Sequence, residues 1–482
     1  MQVICECNGL GRVLRVAANE IRLTWRRKVS WYLLVSLVVL VAVASILSFG
    51  RHEREQRRQA AFDQLVREQW EGQPDRHPHR VAHYGSFAFK PKAALSAYDP
   101  GVDSQAGRIR YLEAHRQNAL AFSEASGFSS VSVLGELSPA YVMEMCVPLI
   151  IVLLGYGAFA GEKESGRASL IRASGLSAKG FWTGKFVGLL VALLPFFVIG
   201  GLAICLLGGS SPAGLAAEKD LVLRLSVLLG GLALYWLLWL ALVLAVSGWC
   251  RTAGSALTAL MGIWVMVSIV TPRTASGVAA WLHPLPDKSE FAAKIAHQLD
   301  RLGDSHDPTD PVFAQFKDEV LRQHGVSRVE DLPFNYKGLV MAKGEEQSAQ
   351  AFSTELAALR ELEHKQSGVI DLFSWLSPPL AMKRLSMLAC GTAPANHHAF
   401  EDQSEAYRYA FVQKLNHLQQ EHISYAGNSE EKLGAEHWAH FDRFQMVAPR
   451  MDAGGLLRSA MVLGVWLALG LGAGIYGIAF RP

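Results

Sequence analysis

The sequence predicts a mainly α-helical membrane protein with six transmembrane helices, and three observations support this fold class. Half of the 482 residues are apolar and the mean hydropathy is +0.18, which lies between soluble and wholly embedded proteins. Six apolar runs can each cross about 30 Å of hydrocarbon at about 1.5 Å per residue. Two long polar stretches separate these runs, so a domain outside the bilayer is also expected. The six predicted spans are residues 30–49, 141–160, 186–207, 221–249, 253–271 and 456–480.

Residues 1–29 precede the first span and predict an amphipathic helix in the membrane interface. Apolar residues recur at helical spacing from Leu10 to Trp25, and arginines fall mainly on the opposite face, toward lipid headgroups. A plain positively charged flank for insertion is the alternative. The residues assigned to this interfacial helix are Arg12, Arg15, Arg22, Trp25 and Arg26.

The first span is predicted to be a retained anchor, because charged residues follow it instead of a small-residue cleavage site. The polar segment 50–140 opens with a charged helical stretch, Arg51–Trp70, that continues the first span beyond the bilayer. Strand-like pieces are expected near Val81–Lys90.

A short polar loop, residues 161–185, joins the second and third spans and is too charged to lie in hydrocarbon. We therefore predict an element at the membrane surface that is attached to two spans and transmits to them a force applied from outside the bilayer. The residues assigned to this element are Glu162, Lys163, Glu164, Gly166, Arg167, Arg172, Leu176 and Lys185.

The second polar segment, residues 272–455, shows helical periodicity, with a break at Pro378 and with Asn396 as a cap of the helix that follows. Cys390 is expected outside the membrane. In the last span, Gly470 and Gly474 predict close helix packing, either within the chain or at a dimer seam.

The distribution of basic residues in short loops predicts the orientation of the chain. Lysines and arginines precede the first span and fill the loop at 161–185, whereas Lys219 stands alone in the loop of opposite sidedness. Both termini are therefore expected in the cytoplasm, with segments 50–140 and 272–455 in the periplasm. The arginines just after the first span oppose this, but long translocated domains obey the rule poorly.

Several kinds of chemistry are not predicted for this chain. A net charge of +3 gives no sign of nucleic-acid binding. The nearest approach to a phosphate loop, residues 180–185, has the wrong spacing, so the chain is not expected to be an ATPase. It has no HExxH, no GxSxG and no serine, histidine and acid set, so it is not expected to be another enzyme. It is expected to bind no cofactor, and any ATP and Mg²⁺ would be held by a separate subunit.

Histidine pairs are the remaining candidates for chemistry. Sixteen histidines produce close pairs by chance, and no cysteine or carboxylate pattern completes a tetrahedral set. We therefore predict no metal site; the alternative ligands are His397, His398, His437 and His440.

The chain resembles the permease subunit of ABC-2 type exporters. The resemblance rests on Glu162-Lys163-Glu164-Ser165-Gly166-Arg167 after the second span and on Gly184-Lys185 before the third, with Arg167 where many relatives have threonine. Residues 377–381, 391–392 and 405–408 look like an uncharacterised domain found in one subgroup, which includes permeases of nitrous oxide reductase maturation and of gliding motility.

The resemblance implies a subunit of the bacterial inner membrane that couples to cytoplasmic ABC ATPases through the loop at 161–185 and the N-terminal helix. The expected partners are these ATPases, a second permease copy or a similar permease, membrane lipid and a periplasmic partner. The function implied is ATP-driven export or transmission of movement to the outer domain. The alternatives are a non-transporting sensor or assembly scaffold and a metal-dependent membrane enzyme.

Overall fold

The computed structural model describes residues 9–118, 137–209, 220–425 and 431–480. Within these ranges, six helices are long and apolar enough to cross a membrane. The fold class expected from the sequence, a mainly α-helical membrane protein with six spans, is therefore confirmed. The remaining parts of the predicted segments 1–29 and 50–140, and the loop that contains Lys219, lie outside the described residues.

Two helices form the N-terminal part of the structure. Helix α1 covers Gly9–Arg26, and α2 runs without interruption over the 44 residues Lys28–Glu71. The apolar half of α2 is the first span, and its charged half continues into the polar domain, as the helical pattern of Arg51–Trp70 predicts. The helix passes through Gly50, where the two halves meet, without a break.

The second to fourth spans follow. Helix α4, Pro139–Glu164, contains a π-helical turn at Val142–Cys146 and an irregular turn after Gly155. A short helix, α5, covers Arg167–Ala173, and the third span, α6, covers Ala178–Gly209. Helix α6 begins eight residues before the predicted span, where the Ser177 hydroxyl accepts a hydrogen bond from the Gly180 amide. The fourth span, α7, is Leu221–Trp249.

The fifth span, α8, runs over Ala253–Leu282 and passes the proline at which the sequence suggested an end. A π-helical turn at Met266–Val270 comes just before Pro272. Pro272 then lies in the first turn of the resumed α-helix, where a missing amide proton costs little. The sixth span, α14, covers Ala453–Phe480.

The polar domain combines one small sheet with several helices. Strands β1, β2 and β3 form an antiparallel sheet in that order, in which Ser86 faces Leu112 and Leu112 faces Gln117. The elements are α3 Pro78–Tyr84, β1 Ser86–Phe89, β2 Ile109–Glu113, β3 Arg116–Gln117, α9 Lys288–Leu302, α10 Pro311–His324, α11 Tyr336–Ser374, α12 Pro378–Cys390 and α13 Pro394–His422.

Two local expectations differ from the structure. Part of the strand-like stretch Val81–Lys90 is the helix α3, whose first turn His77 caps by accepting a hydrogen bond from the His79 amide. Helix α13 is not capped by Asn396. It begins at Pro394, whose fixed φ suits the first helical position.

Helix α12 packs against the spans, although it belongs to the second polar segment. Ala381, Leu385 and Cys390 lie in the same apolar core as residues of α4 and α7, and Cys390 is buried there. Gly231 of α7 leaves room for Leu385, because a Cβ there would lie 2.5 Å from the leucine Cδ2. The polar domain is thereby seated directly on the membrane helices.

Candidate functional site

Helix α1 crosses α6 at close range because glycines remove the side chains at the contact. A Cβ at Gly184 would lie 2.7 Å from the Val16 Cβ, and one at Gly188 would lie 2.7 Å from the Glu20 Cβ. The backbones approach as they do at small-residue contacts between membrane helices. This crossing carries the Glu20 carboxylate over to Lys185 on α6.

Lys185 is the centre of a buried ionic junction. Its Nζ donates hydrogen bonds to Glu20 Oε2 at 2.6 Å and to Glu162 Oε1 at 3.0 Å, and all three side chains are less than a tenth exposed. The second oxygen of Glu162 accepts from Arg167 Nε at 2.7 Å. The junction joins α1, α4, α5 and α6, and its charges are paired as buried charges must be.

The neighbouring residues tie the end of α4 to two further spans. Lys163 Nζ donates to the Gly248 carbonyl of α7 at 2.5 Å. Glu164 Oε2 accepts from the Ala253 amide, at the start of α8, at 2.9 Å. We call residues 161–185 the connector. Five of the six spans or their ends therefore meet around the connector. These spans are α4, α6, α7, α8 and, through α1, the start of α2.

Helix α5 is the exposed part of the connector. Gly166 and Gly175 flank it with φ of 71° and 76°, a backbone region that favours glycine. Leu170 is 72% exposed at its centre, and Arg12 of α1 donates to the Ser174 and Gly175 carbonyls after its end.

Of the other residues predicted for the connector and for α1, some pack against the membrane helices and others are exposed. Leu176 packs against the apolar core of the spans, and Trp25 stacks on Phe196 with ring centroids 6.2 Å apart. The exposed arginines of α1 are Arg15, Arg22 and Arg26. The side chain of Arg172 lies outside the described part of the chain.

Sequence reasoning missed Glu20, the second carboxylate on Lys185. The available signal was its position on α1, one turn from Ala17 and from Thr24, both of which are buried. A carboxylate on an apolar helix face requires a cation opposite it.

The histidines named as alternative metal ligands lie in three places. His398 Nε2 is 3.1 Å from Glu363 Oε2, and the hydrogen bond to this carboxylate raises the pKa of His398. His397 lies 3.9 Å from Glu401, and burial lowers its pKa. The His437 ring lies 5.0 Å from that of His422, and His440 is exposed.

A different set of histidines meets in the polar domain. One nitrogen from each of His79, His83, His115 and His306 lies within 4.8 Å of the other three. Burial, followed by repulsion from neighbouring imidazoles, lowers the pKa of His79 and of His115 to about 3. The sequence signal was the spacing of four residues between His79 and His83, which places both rings on one helix face. His115 and His306 lie far from them in the sequence, so no local pattern could have grouped them with this pair.

In a comparison with known proteins, two family models match parts of the chain. Residues 113–295, which contain α4 to α8 and the connector, match the family model described as ABC-2 family transporter protein. This match supports an ABC-2 type permease, which is a transporter-type, multi-pass membrane component of a class that generally lacks its own ATPase motifs and associates with a cytoplasmic ABC ATPase. Residues 288–446 match a domain of unknown function, DUF3526, which covers α9 to α13. No curated protein matches the chain.

Proposed function

We propose that this chain is the membrane subunit of an ATP-driven ABC-2 export or mechanotransmission complex, and that its ATPase docks on α5. The observation that carries this proposal is the Glu20–Lys185–Glu162 junction, buried directly beneath an exposed helix. The ATPase would hold ATP and Mg²⁺. The connector and both termini would then face the cytoplasm of a bacterial cell, and the polar domain would be periplasmic.

The connector supplies a physical route from α5 into the spans. A displacement of α5 acts on Glu162 through Arg167, and Glu162 is bound to Lys185 of α6. Lys163 and Glu164 add bonds to the ends of α7 and α8. Movement at one exposed helix therefore reaches several spans at once, which is the mechanical requirement for coupling to a separate motor.

A second permease copy or a similar permease has surface available on two spans. In α2 and in α8, only 22% of the most apolar stretch is buried within the chain, against 67% in α4. These faces must be covered by lipid or by another subunit. We propose that a second permease covers part of them, because two ATPases acting together require two docking helices.

The test of ATPase docking uses two matched substitutions of exposed apolar residues. Leu170 lies on α5 and is 72% exposed, whereas Val447 lies in the polar domain and is 74% exposed. A glutamate at either position leaves the core intact. We expect Leu170→Glu to abolish co-purification of the ABC ATPase in mild detergent, and Val447→Glu to leave it unchanged.

The readouts are the amount of ATPase subunit that co-purifies, identified by mass spectrometry, and the ATPase activity of the sample. Equal ATPase recovery with Leu170→Glu and with the wild-type chain would refute docking on α5. Charge reversal at Glu162 or Glu164 would be a poorer test, because both carboxylates bond within the chain and their loss disturbs its packing.

A further inference from the structure

We propose that His79, His83, His115 and His306 bind one divalent transition-metal ion of the zinc class. The four rings come from three separate elements. His79 and His83 lie on α3, His115 lies in the turn between β2 and β3, and His306 lies in the loop between α9 and α10. No element contributes more than two rings, so the fold itself assembles the group.

The distances suit four ligands around one ion. The Nε2 atoms of His79 and His83 are 3.2 Å apart, and all four ligand nitrogens lie within 4.8 Å of one another. A tetrahedral zinc ion with bonds of 2.0–2.1 Å keeps its nitrogens about 3.4 Å apart. Closing the remaining gap requires small ring rotations, and the rings of His83 and His306 are exposed enough to make them.

His115 is held toward the group by its surroundings. It is the one non-glycine residue in the described chain with a positive φ, 63°, and its amide donates to Glu345 Oε2 at 2.8 Å. Its Nδ1 lies 3.4 Å from the same carboxylate oxygen. Metal-binding histidines commonly present their second nitrogen to a carboxylate in this way, which leaves Nε2 for the ion.

The carboxylate that positions His115 is itself fixed. Glu345 is fully buried and pairs with Arg408 at 2.6 Å, and Arg408 also binds Glu405 at 2.7 Å and the Glu113 carbonyl at 3.0 Å. The strained turn therefore rests on a rigid support. Strained backbone conformations of this kind cluster at active sites and at ligand-binding positions.

The second nitrogen of His115 also needs a partner. His115 Nε2 is buried and has no hydrogen-bond partner among the described residues. Imidazole-only coordination suits zinc, copper, nickel and cobalt, whereas calcium and magnesium require oxygen ligands. A cavity of about 430 Å³, lined by His79, His306 and Asp307, gives an ion a path to the site.

Bound metal would fasten the two polar segments of the chain together. Three ligands lie in the segment before the second span, and His306 lies in the segment after the fifth. The ion would fix the α9–α10 loop against α3 and the hairpin, and so stiffen the domain. The proposed site departs from the sequence-based expectation that the chain binds no metal. None of its four ligands is among the histidines that the sequence analysis named as alternatives.

The experiment measures zinc binding to the full chain, purified in detergent without a histidine tag. Equilibrium dialysis against buffered micromolar Zn²⁺, followed by metal analysis, is expected to give one ion per chain. His306→Gln should weaken binding by at least about tenfold, since even loss of a residue that supports a ligand costs 10–100-fold. His297→Gln is the matched control, because His297 is an exposed histidine on the neighbouring helix α9.

A second measurement separates loss of the site from loss of the fold. Zn²⁺ should raise the thermal unfolding temperature of the wild-type chain and of His297→Gln, and should raise that of His306→Gln by less, while the circular dichroism of all three stays the same. Cobalt should give the visible absorption of a tetrahedral ion. The proposal fails if the wild type binds no zinc at micromolar concentration, or if His306→Gln and His83→Gln bind it as the wild type does.

Discussion

At the scale of single residues, buried charges mark the joints of this molecule. Lys185 joins α1 to α4 and α6, Arg408 joins the hairpin turn to α11 and α13, and Asp99 binds Lys383 of α12 at 2.6 Å. Each charge is paired across segments that lie far apart in sequence. Removing one partner leaves the other charge uncompensated in an apolar setting, so these positions should tolerate substitution poorly.

Lys185→Met tests this at the connector. The substitution leaves Glu20 and Glu162 close together without their shared cation, and we expect it to lower the free energy of unfolding by about 3–5 kcal/mol. The measurement is denaturation in detergent, followed by circular dichroism. Lys179→Met, at an exposed position of the same helix, is the control and should have little effect. Equal stability of the two variants would argue against a structural role for the junction.

The sequence placed Glu162, Arg167 and Lys185 in one charged loop but could not show which of them pair. Their grouping came from a charged loop between two apolar runs, a local signal. The pairing with Glu20 depends on how α1 crosses α6, and the sequence shows no such angle. The same limit hid His115 and His306, which reach His79 only after the hairpin and the α9–α10 loop are folded.

At the scale of secondary-structure elements, helices pass through positions where sequence signals suggested an end. Helix α8 continues through Pro272 by inserting a π-helical turn before it, and α6 begins well before its apolar run. Apolar length predicts where a helix meets hydrocarbon. It does not predict how far the helix extends beyond it, because packing against other helices stabilises the extra turns.

Gly188→Val tests the contact between α1 and α6. The new side chain would collide with Ala17 and Glu20 of α1, where a Cβ would already lie 2.8 Å from the Ala17 carbonyl oxygen. We expect α1 to be displaced and hydrogen exchange over residues 9–26 to increase by at least about tenfold, a loss of about 1.4 kcal/mol in local protection. The control is Gly472→Val on α14, where a new Cβ would meet nothing within 4 Å outside its own helix. Unchanged exchange in Gly188→Val would show that α1 is not held by this contact.

At the scale of the whole molecule, the polar domain and the spans form one packed unit. Helix α12 shares the core of α4 and α7, and Asp99 of the first polar segment accepts hydrogen bonds from Lys383 and Ser386 on α12. Both polar segments are thus anchored at the same place on the membrane helices. The sequence predicted the two segments and their helical character but contained no sign that they share this anchor.

Asp99→Ala tests the shared anchor. Asp99 is fully buried, and its loss removes its hydrogen bonds with Lys383 and Ser386, so we expect unfolding to become easier by about 1.5–3 kcal/mol. Limited proteolysis should then cut the polar domain faster while the spans remain intact. Asp331→Ala removes an exposed ion pair with Arg328 and should leave proteolysis unchanged. Identical cleavage rates for the two variants would contradict the anchoring role.

The unbroken length of α2 has a mechanical consequence. Its 44 residues correspond to a rod about 66 Å long at 1.5 Å per residue. Its N-terminal end follows α1, and near its C-terminal end Trp70 packs among Phe411, Trp438 and Phe441. A pivot of about 10° at the base of a rod this long carries the tip through about 11 Å. In the coupling that we propose, α2 would act as a lever arm, because a small rocking motion at its base would give a larger displacement at its tip in the polar domain.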